Sequence, residues 1–280
     1  MKTQMETLVV IGGGAMARAI IEGAASAESA RPARFVVCEP DAGRRAIFER
    51  PDAFGGRIMA TAARVEDLGP HLESAAPLLL AVKPQVFPDV ASTLAPLMGG
   101  EGRVVISILA GTRSARIREA LGGGARVVRV MPNTPARIGE GMSAVALGAG
   151  TQPGDEALAM SLFDACGEVV RIDESLMDAY TALAGSGPAY VFYLAEAMAK
   201  AGVEMGFDEQ TADRIVRQTI RGAGMLLASS EESASELRAA VTSKRGTTEA
   251  ATNSMDESGV MESIVHAALA ARDRGAELGR

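Results

Sequence analysis

Short apolar runs, rich in β-branched residues, recur along the first 172 residues and are separated by segments long enough to form helices. The runs lie at residues 8–11, 35–38, 78–82, 104–108, 127–130, 143–147 and 169–172, with a weaker one at 57–59. Near-continuous apolar strands that alternate with helices are typical of a parallel sheet buried on both faces. The pattern therefore predicts an α/β N-terminal domain with a parallel sheet, spanning residues 1–172.

The strand pattern stops after about residue 173, and the rest of the chain predicts only helices. One helix runs from Pro188 to just before Gly202, a second follows Asp208, and a third opens with a Ser233-x-x-Glu236 capping box. The last helix carries one apolar stripe, formed by Val260, Ile264, Val265, Ala268 and Leu269. We expect residues 173–280 to form an all-α C-terminal domain.

The helix that begins at Pro188 indicates an assembly, because it is apolar almost all round. Such a helix must be buried on every side, and the few other helices of residues 173–280 offer little cover. A second copy of the same helices would supply the rest. We therefore predict a homodimer formed through the C-terminal helices, and leave open whether dimers associate further.

Composition and charge narrow the class of partner. The formal net charge is −7, so a nucleic-acid partner is not expected. The two cysteines and two histidines are scattered along the chain and give no metal site. The first residues lack the apolar stretch of a signal peptide, and no run approaches the length of a membrane span. We expect a cytoplasmic protein without a membrane partner.

The first strand leads into the glycine-rich stretch "VVIGGGAMARAI", in which Gly12-x-Gly14-x-x-Ala17 matches the dinucleotide-binding fingerprint. Gly12 permits a tight turn, Gly14 lets a pyrophosphate approach the backbone, and Ala17 lets the following helix pack on the strand. An ordinary strand-to-helix turn is the alternative. The alternating pattern favours a Rossmann domain that binds NADPH or NADH, with cofactor contacts from Ile11, Gly12, Gly13, Gly14, Ala15 and Met16.

Glu39 ends the second strand, where an acid accepts hydrogen bonds from the adenosine ribose of NAD and repels a 2′-phosphate. Arg44 and Arg45 follow closely and are able to bind that phosphate. Glu39 is otherwise a solvated residue at a strand end. The sequence therefore leaves the choice between NADH and NADPH open.

Two further segments follow the carboxyl ends of strands, where ligands of open α/β sheets bind. In "LLLAVKPQ" the predicted cofactor contacts are Ala81, Val82, Lys83 and Pro84. In "RVMPNTPARIGEGM" we expect Met131, Asn133 and Thr134 to face the nicotinamide, with Asn133 as the principal contact. A solvated Lys83 and a plain turn-rich loop are the alternatives.

The supply of acid–base side chains limits the chemistry. His71 and His266 are the only histidines, and Lys200 and Lys244 are the only lysines of the helical half. Reducing a ketone requires a proton donor of this kind. A protonated imine accepts hydride directly and mainly needs orientation, a carboxylate anchor and a hydrogen bond to its nitrogen. The composition therefore favours an imine substrate.

The stretch "VTSKRGTTEAA" offers such an anchor. Gly246, Thr247 and Thr248 are expected to present N–H groups at a helix N-terminus, which suits a carboxylate. The Ser243 and Thr248 hydroxyls lie within reach of a carboxylate oxygen or a ring nitrogen. A simple N-cap threonine is the alternative.

The stretches "IGGGAMA", "AVKPQ", "RVMPNTPA", "TALAGSGPAY" and "LRAAVTSKRGTTEA" resemble, in order and spacing, those of pyrroline-5-carboxylate reductases. The resemblance runs from about Leu8 to Leu278. It implies a Rossmann domain followed by a helical dimerisation domain. It also implies reduction of pyrroline-5-carboxylate to L-proline with NAD(P)H, the last step of proline biosynthesis, with substrate bound at the dimer interface near the nicotinamide.

The resemblance also implies residue roles. Thr248 corresponds to the threonine that hydrogen-bonds the substrate nitrogen, which makes it the catalytic residue. The other implied substrate-binding residues are Ser243, Gly246 and Thr247 around the carboxylate, Glu231 acting through water, and Ser186 in a loop close to the site. The chain departs from the family where it has Ala15 in place of asparagine and Lys244-Arg245 in place of Pro-Gly.

Two other functions stay open on the sequence alone. One is a reductase of another small cyclic imino acid, or of another small carboxylate. The other is a non-catalytic dinucleotide-binding dimer, which would bind NAD(P)H without turnover. Arg245 beside the predicted anion pocket favours either alternative weakly, because a side chain there changes the pocket.

Overall fold

The computed structural model describes residues 7–27, 34–50, 52–72, 76–99 and 102–279. In this part of the chain, eight strands form a single sheet. Their bounds are β1 Thr7–Ile11, β2 Arg34–Cys38, β3 Ile58–Ala62, β4 Leu78–Leu80, β5 Val104–Ser107, β6 Arg126–Met131, β7 Gly141–Leu147 and β8 Gly167–Arg171. Every apolar run predicted as a strand overlaps one of them, which confirms the predicted strand pattern.

The helices continue to the end of the chain. They are α1 Ala15–Ser26, α2 Ala42–Phe48, α3 Gly69–Leu72, α4 Phe87–Leu94, α5 Ser114–Ala120, α6 Ala157–Asp164, α7 Met177–Tyr180, α8 Gly187–Glu204, α9 Glu209–Ser229, α10 Ala234–Ala240, α11 Thr247–Glu257 and α12 Val260–Leu278. Short 3-10 segments and one π-helical turn, Thr181–Gly185, connect some of them. From α8 onward the chain contains helices only, as predicted.

The sheet has the order β3-β2-β1-β4-β5-β6-β7-β8. Strands β1 to β6 are parallel, whereas β7 runs antiparallel to β6 and β8 pairs with β7 in parallel. The predicted parallel sheet is thus confirmed from β1 to β6, whereas β7 and β8 run in the opposite direction. The segment between Met131 and Gly141 is too short for a parallel crossover, which takes about a dozen residues or more.

Both faces of the sheet are buried, as the continuous apolar strands predict. Along β1, Leu8 and Val10 pack into one apolar cluster while Val9 and Ile11 pack into another. The chain reverses its direction of strand addition between β1 and β4. In such sheets this switch point, at the carboxyl ends of the strands, is where ligands bind.

The chain divides into two compact units. One comprises the residues up to Ser186 together with those from Ala271 onward, and the other is Gly187–Ala270. The predicted boundary between residues 172 and 173 lies inside the first unit. Helix α12 contributes residues to both units.

The second unit confirms two predicted helix starts. The Asp208 side chain accepts a hydrogen bond from the Thr211 amide at the start of α9, and Ser233 and Glu236 form the capping box of α10. Gly202 does not lie past the end of its helix, because α8 continues to Glu204. A Cβ at Gly202 would lie 3.0 Å from that of Ala212, so the glycine allows α8 and α9 to approach.

Helix α8 has no buried residue within one chain, although its sequence is apolar almost all round. Phe192 and Tyr193 are 60% and 75% exposed. The exposed apolar surface of the second unit comprises Val191, Phe192, Tyr193 and Leu194 on α8, Met225, Leu226 and Leu227 on α9, and Met261, Ile264, Val265 and Leu269 on α12. Within one chain, the described residues therefore do not bury the apolar surface of α8.

Candidate active site

The glycine loop between β1 and α1 lies against the end of β4. Gly12 has a φ of +100° and donates its amide to the Cys38 carbonyl over 2.8 Å. A Cβ at Gly12 would lie 2.7 Å from the Ala81 carbonyl oxygen. Both the backbone conformation and this close approach therefore require glycine, as the predicted tight turn implies.

Gly13 and Gly14 serve different purposes. A Cβ at Gly13 would meet the Phe48 ring at 2.8 Å and the Glu39 Cβ at 3.0 Å, so this glycine allows close packing. A Cβ at Gly14 would meet nothing within 4 Å. Gly14 is the N-cap of α1 and has no side-chain cap, so the first amides of α1 open toward this free space. Ala17 is buried, as expected for close packing of the helix.

The predicted cofactor contacts at the end of β4 lie beside this loop. The Ala81 amide donates to the Ile11 carbonyl over 2.8 Å, and the Val82 side chain approaches Gly12. Lys83 is exposed, whereas Pro84 is half-buried. The glycine loop and the residues after β4 thus lie side by side at the carboxyl ends of the strands, where open α/β sheets bind dinucleotides.

The Asn133 side chain connects the loop after β6 to the π-helical turn. Its Nδ2 donates to the Ala184 carbonyl over 3.1 Å, and its Oδ1 accepts from the Met142 amide over 2.9 Å. One N–H of the side-chain amide remains for a ligand. Ser186 follows the π-helical turn and donates its amide to the Thr181 carbonyl. Turns of this kind are frequent at functional sites.

In the second unit, residues 243–248 form a tight corner between α10 and α11. The Gly246 amide donates to the Ser243 carbonyl over 2.9 Å. A Cβ at Gly246 would collide with the Ser243 hydroxyl, so glycine is required for space rather than for its φ of −89°. The expectation that the Gly246 amide is free for an anion is therefore wrong, because the turn already uses it.

The remaining groups of the corner suit an anion with an adjacent hydrogen-bonding atom. The amides of Thr247 and Thr248 belong to the first turn of α11, where a helix leaves N–H groups without internal partners. Among the described residues, the hydroxyls of Ser243, Thr247 and Thr248 have no hydrogen-bond partner. Thr248 is half-buried, whereas the other two are exposed.

Glu231 lies in the exposed segment before α10. Among the described residues, no partner of its side chain is recorded, so its expected action through water stays a prediction. Across the described ranges, no group of three or more His, Cys, Asp or Glu side chains is placed to hold a metal ion. In the same residues, no helix is both long and apolar enough to cross a membrane.

Comparisons with known proteins identify the family of the chain. The family model "Pyrroline-5-carboxylate reductase dimerisation" matches residues 174–278, and the model "NADP oxidoreductase coenzyme F420-dependent" matches residues 7–111. A pyrroline-5-carboxylate reductase from Synechocystis sp. is 39% identical over 277 residues, which cover 98% of each chain. The chain belongs to the pyrroline-5-carboxylate reductase family.

Solved structures of the same family share the whole fold. The pyrroline-5-carboxylate reductase of Coxiella burnetii is 30% identical, with a TM-score of 0.86 over 99% of this chain and 100% of that one. The enzyme of Plasmodium falciparum, solved with NADP bound, is 25% identical, with a TM-score of 0.80 over 98% of each chain. The resemblance on which the site residues were chosen is thus confirmed at the level of family and fold.

Arg245 occupies a position at which the resemblance to pyrroline-5-carboxylate reductases implies glycine. Its φ is +61°, a conformation that favours glycine. Its amide donates to Glu249 Oε2 over 2.6 Å, which fixes the corner from the other side. The side chain is exposed, and no ion pair joins it to another described residue. A strained cation therefore lies next to the two free amides.

We expect Arg245→Gly to stabilise the protein by about 1 kcal/mol, because it removes the cost of a left-handed conformation for a residue with a Cβ. Arg245→Ala removes the same charge but keeps the Cβ, so it should not stabilise. Both variants should raise the KM for the imino acid about 1.5- to 5-fold, as for the loss of an exposed charge. Thermal unfolding and steady-state kinetics measure the two effects. Equal unfolding temperatures of Arg245→Gly and Arg245→Ala would contradict backbone strain at position 245.

Two structural contributors were not predicted. Phe48 lies beneath Gly13, and Glu249 holds the amide of Arg245. Glu249 has a recognisable signal, since an acid in the first turn of a helix often binds a preceding amide. Phe48 has none, because a single phenylalanine on a short helix gives no indication of which loop it supports.

Proposed function

We propose that this protein reduces pyrroline-5-carboxylate to L-proline, with NADH or NADPH as reductant, as the last step of proline biosynthesis. The observation that carries the proposal is the corner at residues 243–248, where two amides and three hydroxyls are free among the described residues. The dinucleotide role is assigned to residues 1–172. The substrate and dimerisation roles are assigned to residues 173–280.

The glycine loop fits the dinucleotide. The space beside Gly14 is open, and the first amides of α1 border it, so a pyrophosphate can receive backbone hydrogen bonds there. Residues 81–84 and Asn133 are the other contacts that we assign to the cofactor. When bound, the reduced nicotinamide supplies the hydride that the imine carbon accepts.

The corner at residues 243–248 orients the imine. The Thr247 and Thr248 amides hold the substrate carboxylate, and the helix N-terminus favours its negative charge. The Thr248 hydroxyl hydrogen-bonds the ring nitrogen and fixes the orientation in which the C=N carbon is presented for reduction. The C=N double bond becomes a single bond, the carbon gains the hydride, and the nitrogen keeps the proton that it carries in the iminium form. Hydride transfer to an iminium carbon requires orientation of the substrate rather than a strong acid.

The proposal is tested by the loss of NADH or NADPH absorbance when a panel of substrates is added to the purified protein. The panel contains pyrroline-5-carboxylate, its six-membered analogue and several 2-keto acids. Turnover that is highest with pyrroline-5-carboxylate supports the proposal. Faster turnover of another imine would move the function to a related imino acid, and nucleotide binding without any turnover would support a non-catalytic dimer.

We also propose that the protein is a homodimer formed through its C-terminal helices. The exposed apolar surface defined above supports this, because isolated soluble chains rarely expose so many large apolar side chains within one compact unit. A second copy of the chain would bury the same residues on both sides of a symmetric interface.

Phe192→Asp is expected to dissociate the dimer. Burying one phenylalanine contributes about 1.5–3 kcal/mol, and in a symmetric dimer the substitution acts twice, so the dimer Kd should rise roughly 100- to 10,000-fold. Light scattering during size-exclusion chromatography at several concentrations measures this. Met59→Asp replaces an exposed apolar residue of the sheet unit and should leave the mass unchanged. A wild-type monomer would contradict the dimer.

A further inference from the structure

Glu39, directly after β2, is buried rather than solvated. It is 3% exposed, and its carboxylate accepts three hydrogen bonds. Oε2 accepts from the Gly13 amide over 2.8 Å, while Oε1 accepts from the Asp41 amide and from the Arg44 guanidinium, each over 2.9 Å. The side chain therefore ties the glycine loop to the turn between β2 and α2. The alternative of a solvated strand end is wrong.

The two arginines that could bind a 2′-phosphate are already bound to acceptors of the chain. Arg44 pairs with Glu39. Arg45 pairs with Glu49 over 3.1 Å and donates to the carbonyls of Glu39 and Pro40. Asp41 adds a third carboxylate near these two guanidinium groups, and it accepts a hydrogen bond from the Arg44 backbone amide. The local charge is therefore unfavourable for a further dianion.

The carboxylate of Glu39 keeps capacity for one more donor. An ionised carboxylate offers about four acceptor sites, and three of them are used here. A ribose hydroxyl is a donor of the kind that the remaining site takes. A 2′-phosphate has no such hydrogen to offer when ionised, and it carries a charge of about −1.5 to −2.

We propose that Glu39 makes this enzyme select NADH over NADPH. The inference rests on the proposed function only in assigning the glycine loop to the dinucleotide, and not on the imine. One charge-assisted hydrogen bond gained with NADH, and lost with NADPH, corresponds to a Kd ratio of about 10- to 100-fold. Glu39 therefore competes with a 2′-phosphate for the Arg44 guanidinium.

The test measures the Kd of NADH and of NADPH separately, by calorimetry on the full-length protein without any imine. The wild type should bind NADH about 10- to 100-fold more tightly than NADPH. Glu39→Ser should reduce this ratio to about one or invert it, because it removes the carboxylate and releases Arg44 for the phosphate. The double variant Glu39→Ser/Arg44→Ala should then lose the gain in NADPH affinity.

The ratio of the two Kd values is the decisive quantity, because Glu39 also supports the glycine loop and its loss is expected to weaken both nucleotides together. Glu39→Gln keeps the size of the side chain and removes the charge, so it should lower the preference. Its amide nitrogen cannot accept a hydrogen bond that a carboxylate oxygen accepts in the wild type, so the unfolding temperature should fall as well. Glu22→Gln, a half-buried acid on α1 that pairs with Arg18, is the matched control and should leave the ratio unchanged.

Tighter binding of NADPH by the wild type, an unchanged ratio in Glu39→Ser, or binding of neither nucleotide would overturn the proposal. Its failure is distinguishable from failure of the proposed function. If the protein prefers NADH but reduces no imine, the role of Glu39 in nucleotide selection is supported and the proposed reductase function is wrong. If the protein reduces pyrroline-5-carboxylate but prefers NADPH, the reductase function is supported and the proposed role of Glu39 is wrong.

Discussion

Replacing Gly14 by valine is expected to raise the Kd for NADH and NADPH by at least about 100-fold while the protein stays folded. The backbone at Gly14 has a φ of −69° and a ψ of −179°, which any residue adopts. A Cβ there meets no protein atom within 4 Å, so the new side chain would fill the space assigned to the pyrophosphate. Calorimetry measures the affinity, and circular dichroism follows thermal unfolding.

The matched comparison for this prediction is Gly12→Val, two residues earlier in the same loop. Gly12 has a φ of +100°, and a Cβ would lie 2.7 Å from the Ala81 carbonyl oxygen, so valine there strains the fold itself. We expect Gly12→Val to lower the unfolding temperature strongly. Valine is a poor N-cap, and its effect at Gly14 should be limited to about 1 kcal/mol, or about 2–4 °C. Wild-type affinity in Gly14→Val would contradict the assignment of the loop.

Replacing Thr248 by alanine is expected to lower kcat/KM for pyrroline-5-carboxylate about 10- to 100-fold. The substitution removes a hydroxyl that has no partner among the described residues and that we assign to the ring nitrogen. A hydrogen bond to a charged group contributes about 1.5–3 kcal/mol, which corresponds to this loss. Steady-state kinetics at fixed NADH measures it, and the Kd for NADH should be unchanged.

Two variants control this prediction. Thr248→Ser keeps a hydroxyl on the same backbone and should retain most of the activity. Thr252→Ala removes a threonine hydroxyl one turn later on α11, which already bonds to the carbonyls of Thr248 and Glu249, and should leave kcat/KM near wild type. Full activity in Thr248→Ala, or an equal loss in Thr252→Ala, would remove Thr248 from the catalytic role.

The strands could be predicted from the sequence because a strand that is buried on both faces has apolar residues at every position. Leu8, Val9, Val10 and Ile11 are all buried, so the run is apolar without interruption. Whether β7 runs parallel or antiparallel to β6 could not be predicted in this way, because the apolar pattern of a strand is the same in both directions. Only the length of the segment before Gly141 decides it, by excluding a crossover.

The candidate site could be predicted less completely, because several of its residues depend on partners distant in the chain. Whether an acid at a strand end is solvated or buried depends on what lies against it, and for Glu39 this is Gly13, 26 residues earlier. The glycine pattern predicted the open space at Gly14 but not the engagement of the Gly246 amide, which depends on the backbone of the turn. The left-handed Arg245 was recognisable as a departure from a glycine position, but its conformation was not.

The central claim is that the corner at residues 243–248 holds the substrate carboxylate, and a crystal structure with L-proline bound tests it most directly. We expect the carboxylate oxygens to lie about 3 Å from the Thr247 and Thr248 amides, with the ring nitrogen at hydrogen-bond distance from the Thr248 hydroxyl. A proline carboxylate bound elsewhere, with this corner empty or filled by the Arg245 side chain, would contradict it.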